Sequence, residues 1–262
     1  MQGIVKVEND VFETYIVIDG NEKLHSFANQ PAIVWSDGNK EYYKEGKLHS
    51  FVVDGKLHPA IVWSNGNKDY YKDGNLHSFV VDGKLQPAIV NSADSKNYFK
   101  EGKRHSFIID GKLQPAVVHP DGSKYYYKEG NIHSFNIDGI IHPAIVWSNG
   151  RKSYYKEGKR HSFVVDGKLQ PAIVNAADSK NYYKEGKLHS FNIDGIIHPS
   201  VVWADGSKEY HNEGEPTSLN DLTQQDDQSL MKHYEKILNI GQLPPGKQQL
   251  LEMFYKCLIN SG

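Results

Sequence analysis

Short apolar and aromatic runs alternate along this chain with pairs of turn-forming residues. Residues 49–76, for example, read HSFVVDGKLHPAIVWSNGNKDYYKDGNL, with Asp-Gly or Asn-Gly pairs at 54–55, 65–66 and 73–74. Such pairs tolerate the positive φ angles that tight hairpins need. The runs between them are about four to eight residues long and rich in Val, Ile, Tyr and Trp, which suits strands rather than helices. The pattern predicts an all-β fold.

The same pattern recurs at a fixed spacing. The tripeptide His-Ser-Phe begins at residues 25, 49, 77, 105, 133, 161 and 189, so the first interval is 24 residues and each later interval is 28. A strict period means that each unit buries apolar surface against its neighbours. We predict an N-terminal strand or half-repeat cap at 1–24 and seven β-hairpin repeats at 25–214. These would form an elongated, twisted antiparallel hairpin sheet or a solenoid.

Comparison of the copies indicates which positions are buried. The aromatic residue of His-Ser-Phe never varies, whereas the residue after it changes from Val52 to Asn136. Successive strand residues point to opposite faces, so we expect Phe51 inside and Val52 in solvent. By the same test Val62 and its equivalents belong to the core, and the position after them is exposed. We expect that variable position to bind a partner; it holds Trp35, Trp63, Asn91, His119, Trp147, Asn175 and Trp203.

Composition changes after residue 214. We predict a linker at 215–225 and, within 226–262, two amphipathic helices over about Asp226–Asn239 and Lys247–Ile259. Short helices of this kind are not stable alone in water, so they must dock. Two interpretations stay open. The helices either cap the last hairpin, or they bind a partner or a second copy of the chain through Leu230, Tyr234, Leu238, Leu251, Phe254 and Tyr255.

Charge and cysteine content narrow the choice of partner and compartment. The 262 residues carry 30 basic and 32 acidic side chains, a net charge of −2, which disfavours nucleic acid as a partner because phosphates call for a basic stripe. The single Cys257 excludes an intramolecular disulfide, and no apolar segment predicts a signal peptide or a membrane span. We expect a cytoplasmic protein, including an effector or viral protein inside a host cell.

Histidine is the most tempting candidate for catalysis or metal binding. However, His58 is replaced by Gln86 and Gln114 in sister copies, and glutamine cannot substitute for a zinc ligand or a proton carrier. One His per repeat also spaces the rings along an axis instead of converging three or four ligands. His49 and Ser50 would point to opposite faces and could not share a proton. We therefore expect no enzyme, no metal site and no cofactor, and predict that His and Ser bind turn backbone.

Adjacent aromatic residues such as Tyr42-Tyr43 and Tyr70-Tyr71 place one ring on each face of a strand. One ring would pack inside. The other would join the exposed tryptophans in a periodic aromatic strip suited to a peptide, a protein surface or stacked sugars. The alternative is cross-strand aromatic pairing that only stabilises the sheet.

Several short motifs are shared with a known repeat family. Gly46-Lys47-Leu48-His49, Pro31-Ala32, Asp37-Gly38-Asn39-Lys40 and Tyr42-Tyr43 resemble the MORN-type hairpin repeat, in the divergent form found in giant-virus and bacterial proteins. The similarity covers about residues 11–214, although Ser replaces the usual charged residue after His. The resemblance implies a β-hairpin array that serves as a scaffold or binding surface and has no catalytic residues.

Together these patterns favour a non-enzymatic scaffold that binds a protein through an extended aromatic face. The first alternative is a lectin-like repeat protein, with tryptophans stacked on sugars. A multivalent lectin would repeat one pocket in every unit, whereas the tryptophan position becomes Asn or His in three of the seven. The second alternative is a self-assembling structural protein that uses the sheet ends or the helices.

Overall fold

The described part of the chain consists of antiparallel β-hairpins followed by one helix. The computed structural model describes residues 3–8, 11–27, 30–91, 94–175 and 178–239. The chain divides into two compact units, Met1–Arg160 and His161–Gly262. Hairpins make up the described residues of the first unit and most of those of the second, and the last described residues form the helix. The predicted all-β array is confirmed.

Three strands precede the first repeat: Ile4–Glu8, Val11–Ile18 and Asn21–Leu24. The long central strand Val11–Ile18 pairs antiparallel with both of the others. Its first half also pairs with the first repeat, where Phe12 lies opposite Val34. The N-terminal strands thus provide the edge on which the repeats continue.

Each repeat begins with a short hairpin, here called the sheet hairpin. In the first repeat Ile33 lies opposite Glu41 and Val34 opposite Lys40, and the second strand pairs in turn with the next repeat, Glu41 with Ile61. Successive sheet hairpins thereby form one antiparallel ladder within each unit. The first strands are Ile33–Val34, Ile61–Val62, Ile89–Val90, Val117–Val118, Ile145–Val146, Ile173–Val174 and Val201–Val202; the second strands are Lys40–Glu41, Lys68–Asp69, Lys96–Asn97, Lys124–Tyr125, Lys152–Ser153, Lys180–Asn181 and Lys208–Glu209.

A second hairpin, here called the Tyr-Lys hairpin, follows immediately. Its two central residues both have positive φ, 52° at Glu45 and 82° at Gly46, as a two-residue turn of the favoured hand requires. The pairs are Tyr43–Lys44 with Lys47–Leu48, Tyr71–Lys72 with Asn75–Leu76, Phe99–Lys100 with Lys103–Arg104, Tyr127–Lys128 with Asn131–Ile132, Tyr155–Lys156 with Lys159–Arg160, Tyr183–Lys184 with Lys187–Leu188, and His211–Asn212 with Glu215–Pro216.

A third hairpin, here called the Phe hairpin, connects one repeat to the next. Asp54 and Gly55 have φ angles of 48° and 73°, so the predicted turn role of the Asp-Gly pairs is confirmed. The pairs are Phe51–Val53 with Lys56–His58, Phe79–Val81 with Lys84–Gln86, Phe107–Ile109 with Lys112–Gln114, Phe135–Ile137 with Ile140–His142, Phe163–Val165 with Lys168–Gln170, and Phe191–Ile193 with Ile196–His198.

Fewer positions of each repeat are buried than the sequence pattern predicted. Its tightest position is the alanine after proline, as in Ala60, which is fully buried, and Ile61 beside it is 6% exposed. The predicted core residue Val62 is only half-buried, because it occupies the opposite face, between Lys40 and Lys68 in the register. Phe51 is also half-buried rather than internal, whereas the predicted exposure of Val52 is confirmed.

The C-terminal helix spans Leu219–Asn239, so it begins seven residues before its predicted start and occupies part of the expected linker. Ser218 caps it: the Ser218 Oγ accepts a hydrogen bond from the Asp221 backbone N–H at 3.1 Å, and Asp221 Oδ2 accepts one from the Ser218 hydroxyl. The earlier start buries Leu222. No helix among the described residues is long and apolar enough to cross a membrane.

The helix contacts the last hairpins through its first half. The Asn192 side-chain amide donates to Asp226 at 2.7 Å, and the Asn212 amide donates to Gln225 at 3.0 Å. Of the predicted docking residues, Leu230, Tyr234 and Leu238 lie on this helix, where only their backbone is described. The second predicted helix, with Leu251, Phe254 and Tyr255, lies outside the described residues.

A buried serine joins each repeat to the next. The Ser50 backbone N–H donates to the Tyr71 carbonyl at 2.8 Å, and the Ser50 Oγ accepts the Tyr71 N–H at 3.0 Å. The hydroxyl therefore takes the place of a backbone carbonyl between two hairpins that no longer share a ladder. The same Oγ contact is made by Ser26, Ser78, Ser106, Ser134, Ser162 and Ser190. We call it the serine clamp.

We expect Ser50→Ala to lower the free energy of unfolding by about 1–3 kcal/mol, because the Tyr71 N–H would be left buried without an acceptor. Ser64→Ala is the matched control, since Ser64 is exposed and Ala204 occupies the same repeat position naturally; it should change stability by less than about 0.5 kcal/mol. Chemical denaturation followed by circular dichroism measures both. Equal effects would show that the clamp carries no stability of its own.

Candidate functional site

The predicted binding position lies at the tip of the sheet hairpin. The Trp35 backbone N–H donates to the Asn39 carbonyl at 2.9 Å, and the Gly38 N–H donates back to the Trp35 carbonyl, which closes the turn. The four tryptophans at this position are 36–42% exposed, and His119 is exposed, whereas Asn91 and Asn175 are half-buried. The tryptophans and His119 therefore lie at the accessible surface.

Three of the four tryptophan side chains are hydrogen-bonded to a residue six positions later, on the second strand of the sheet hairpin. The fourth, Trp147, instead meets the Tyr125 ring of the preceding repeat edge to face, with centroids 5.6 Å apart. Trp35 Nε1 donates to Glu41 at 3.0 Å, and Trp63 Nε1 donates to Asp69 at 2.9 Å. Trp203 makes the same bond to Glu209 at 3.0 Å. Where the first residue is His119, the second is Tyr125, and the rings meet edge to face with centroids 5.0 Å apart. We call the surface formed by these two positions the aromatic face.

A tyrosine hydroxyl is the second hydrogen-bond donor to the Glu41 carboxylate. The Tyr43 hydroxyl donates to Glu41 Oε2 at 2.7 Å, so the two oxygens of Glu41 accept from Tyr43 and from Trp35. Tyr15 likewise donates to Glu13, and this hydrogen bond is the main cause that raises the pKa of Tyr15 to about 12. Tyr43 therefore shares the face of Trp35, as predicted for one ring of each tyrosine pair.

The sequence pattern did not single out the acidic partners. Burial is the main cause that raises the pKa of Asp69, while the Trp63 hydrogen bond lowers it. Part of the signal was available within the chain: an acid follows Trp35, Trp63 and Trp203 by six positions, whereas Asn97 follows Asn91, Tyr125 follows His119 and Ser153 follows Trp147.

The repeated histidines bind backbone. The Nδ1 of His49 accepts the Asp73 N–H at 3.3 Å, and the Nδ1 of His77 accepts the Glu101 N–H at 3.4 Å, each in the next Tyr-Lys turn. The equivalent bonds of His25, His105, His133, His161 and His189 are 3.1–3.5 Å long. The prediction that His and Ser bind turn backbone is confirmed. An Nδ1 that accepts a hydrogen bond belongs to a neutral imidazole protonated on Nε2.

The described residues contain no group of three or more His, Cys, Asp or Glu side chains arranged to hold a metal ion. His49 and Ser50 each accept a hydrogen bond from a different backbone N–H, at Asp73 and Tyr71. In this arrangement the hydroxyl and the imidazole hold neighbouring repeats together.

One pocket opens on the aromatic face of the first unit. Its volume is about 390 Å³, and its lining includes Asn97, Arg104, Val117, Tyr125 and Tyr127. Two predicted binding residues, Asn91 and His119, also border it. Arg104 was not singled out by sequence reasoning, although the corresponding residue is leucine in three other repeats.

No protein-family model, curated protein or solved structure matches the chain. The internal repeat and its hydrogen bonds are therefore the basis for any functional conclusion.

We expect a double-mutant cycle of Trp63→Asn and Asp69→Asn to give a coupling energy of about 1 kcal/mol, because either single change already removes the charge-assisted indole–carboxylate bond. The double substitution matches the native Asn91 and Asn97 pair and should be tolerated. Urea denaturation of the four proteins measures the coupling. A value near zero would mean that the bond does not hold the ring.

We expect acidification from about pH 7.5 to about pH 5 to destabilise the fold. Burial is the main cause that lowers the pKa of His25, His49, His77, His105, His133 and His189. Their contribution is therefore present above the unfolded-state pKa of about 6.5 and is lost as pH falls through the lower folded-state pKa.

The control for this pH dependence replaces three of these histidines, His49, His77 and His105, with Asn, whose side-chain oxygen can accept the same N–H but does not titrate. Thermal unfolding of the two proteins across this pH range should give a shallower slope for the variant. Identical slopes would assign the pH dependence to other groups.

Proposed function

We propose that this chain is a non-enzymatic scaffold that binds an extended segment of a partner protein along the aromatic face of its first unit. The observation that carries the proposal is the fixed indole: Trp35 and Trp63 are each held by a carboxylate while more than a third of the side chain stays exposed. A preformed aromatic surface loses little conformational entropy on binding. Such surfaces are enriched in protein interfaces.

The same geometry supports protein over carbohydrate as the ligand. A sugar site built on tryptophan needs nearby carboxylate or amide groups to bind hydroxyls. Here the two oxygens of Glu41 already accept from Trp35 and Tyr43. The face also differs from repeat to repeat, which suits one irregular partner better than several copies of one sugar. A lectin-like protein remains the alternative.

The MORN-like resemblance agrees with a scaffold, because the chain contains a long array of antiparallel hairpins of the length that its motifs imply. We propose that the helix is chiefly a cap, since Leu222 is buried and Asp226 accepts from Asn192 of the last Phe hairpin. A role of the remaining tail in homodimerisation, and the alternative of self-assembly, would be detected as a change in oligomeric state on truncation. The single Cys257 supports a reducing, cytoplasmic location.

The test is selection of a random peptide library on the immobilised full chain. Selected peptides should lose at least about tenfold in affinity for a variant with Trp35→Asn, Glu41→Asn, Trp63→Asn and Asp69→Asn, in which both pairs become the native Asn-Asn type. The matched control is Val52→Asn with Val80→Asn, which removes exposed apolar surface from the Phe hairpins and copies Asn136.

Affinity within about twofold of the unsubstituted chain is expected for the control. Equal losses in both variants, or peptides that bind both equally well, would contradict recognition by the aromatic face. A glycan-array signal that disappears with the tryptophans, in the absence of any selected peptide, would establish the lectin alternative.

A further inference from the structure

The pocket at Arg104 differs chemically from the rest of the aromatic face. Its lining includes the guanidinium of Arg104, the amide of Asn97 and the hydroxyls of Tyr125 and Tyr127, and no carboxylate is among the lining residues. These groups are all able to donate hydrogen bonds, and one carries a positive charge. A pocket of this kind is complementary to an anionic acceptor.

Other repeats show which hydrogen-bond acceptor occupies the aromatic face where the chain supplies one itself. In the first repeat Glu41 receives the Trp35 indole and the Tyr43 hydroxyl. At the pocket the equivalent position is Asn97, and in the following repeat it is Tyr125. The donors differ as well, because Asn91 and Phe99 stand where the first repeat has Trp35 and Tyr43. At the pocket the donors are Arg104, Asn97, Tyr125 and Tyr127, and the protein's own carboxylate is missing.

Arg104 does not balance an acidic group of the fold. Among the described residues no carboxylate lies within 4.0 Å of its guanidinium. None of the three repeats that carry an acid on this face has arginine at the position of Arg104. The residue there is Leu48 for Glu41, Leu76 for Asp69 and Pro216 for Glu209. An arginine introduced as an ion-pair partner would be expected in those repeats instead.

The guanidinium is nevertheless held in place by aromatic rings. Its central carbon lies 5.8 Å from the ring centroid of Phe99 and 5.8 Å from that of Tyr127. Such contacts orient a guanidinium while leaving its N–H groups to bind a partner. The nearby Asp121 carboxylate accepts hydrogen bonds from Ser123 N and Oγ, so it already has partners outside the pocket.

We propose that this pocket binds the carboxylate of an acidic residue in the partner's segment, with Arg104 as the main contact and Asn97 and Tyr127 as additional donors. The planar guanidinium can donate two parallel hydrogen bonds to a carboxylate. A peptide is favoured over a free anion because the pocket is continuous with the aromatic face, bordered by His119 at the tryptophan position. The inference rests on the proposed function and specifies its ligand.

The test titrates the ¹⁵N-labelled full chain with the blocked tripeptide acetyl-Ala-Glu-Ala-amide and with its Gln and Lys analogues. We expect the Glu peptide to shift the Arg104 side-chain Nε–Hε resonance with an affinity at least about tenfold above that of the Gln and Lys peptides. Arg104→Leu, the residue of sister repeats, should abolish the binding. Arg160→Leu removes one charge at the same repeat position and should leave it unchanged.

A second variant tests the pocket without removing the arginine. Asn97→Asp copies Asp69 of a sister repeat and supplies an internal carboxylate, which should compete with the peptide and reduce its affinity to the level of the Gln analogue. Circular dichroism confirms that each variant is folded before titration.

Three outcomes would overturn the proposal: equal binding of the Glu and Gln peptides, binding that survives Arg104→Leu, or tighter binding of glucuronic acid or inorganic phosphate than of the Glu peptide. The first two leave the tryptophan-dependent selection unaffected. Failure of this site is thus distinguishable from failure of the proposed function.

Discussion

The whole array depends on a serine hydroxyl that accepts a backbone hydrogen bond in place of a carbonyl oxygen. Each sheet hairpin pairs with its neighbours, but the chain then leaves that ladder to build two further hairpins, and the backbone groups beside them need partners. Ser50 supplies one of them to Tyr71, and His49 supplies another to Asp73. Because both contacts join a residue to the next repeat, the spacing of the repeats is fixed by hydrogen-bond length as well as by packing. The invariant His-Ser pair is explained by this requirement.

Much of this could be predicted from the chain alone. The period located the repeats, and the Asp-Gly pairs located the turns, because positive φ leaves few residue choices. The buried face was harder to predict. Ile61 and Val62 face opposite sides of the sheet but are both aliphatic, so the residue types did not show which of the two points inward. The helix start was missed because Leu222 is the one buried side chain of its first turns and stands among polar residues.

The candidate site was predicted only in part. The exposure of the tryptophans follows from their variability, but their fixed orientation depends on a partner six residues away across a turn. An acid stands six positions after three of the four tryptophans, and this relation is not visible when one position is taken alone. Arg104 was missed for a related reason. It stands out only because position 97 carries no acid that could pair with it, and this comparison requires the strands to be aligned in register.

The fully buried alanine row has a consequence for how the chain changes over time. The alanine is fully buried in six of the seven repeats, and the equally buried Ser200 takes its place in the last, so each repeat has a small residue at its inner surface. The serine clamp gives each repeat the same connector. Any repeat can therefore follow any other, so duplication or loss of a repeat by recombination preserves the contacts between neighbouring repeats. The hydrogen-bonded pairs of Trp35, Trp63 and Trp203 lie within single repeats and travel with them, whereas Trp147 also contacts Tyr125 of the repeat before it. The residues of the outer surface can thus be rearranged by shuffling repeats, without a new fold having to be stabilised each time.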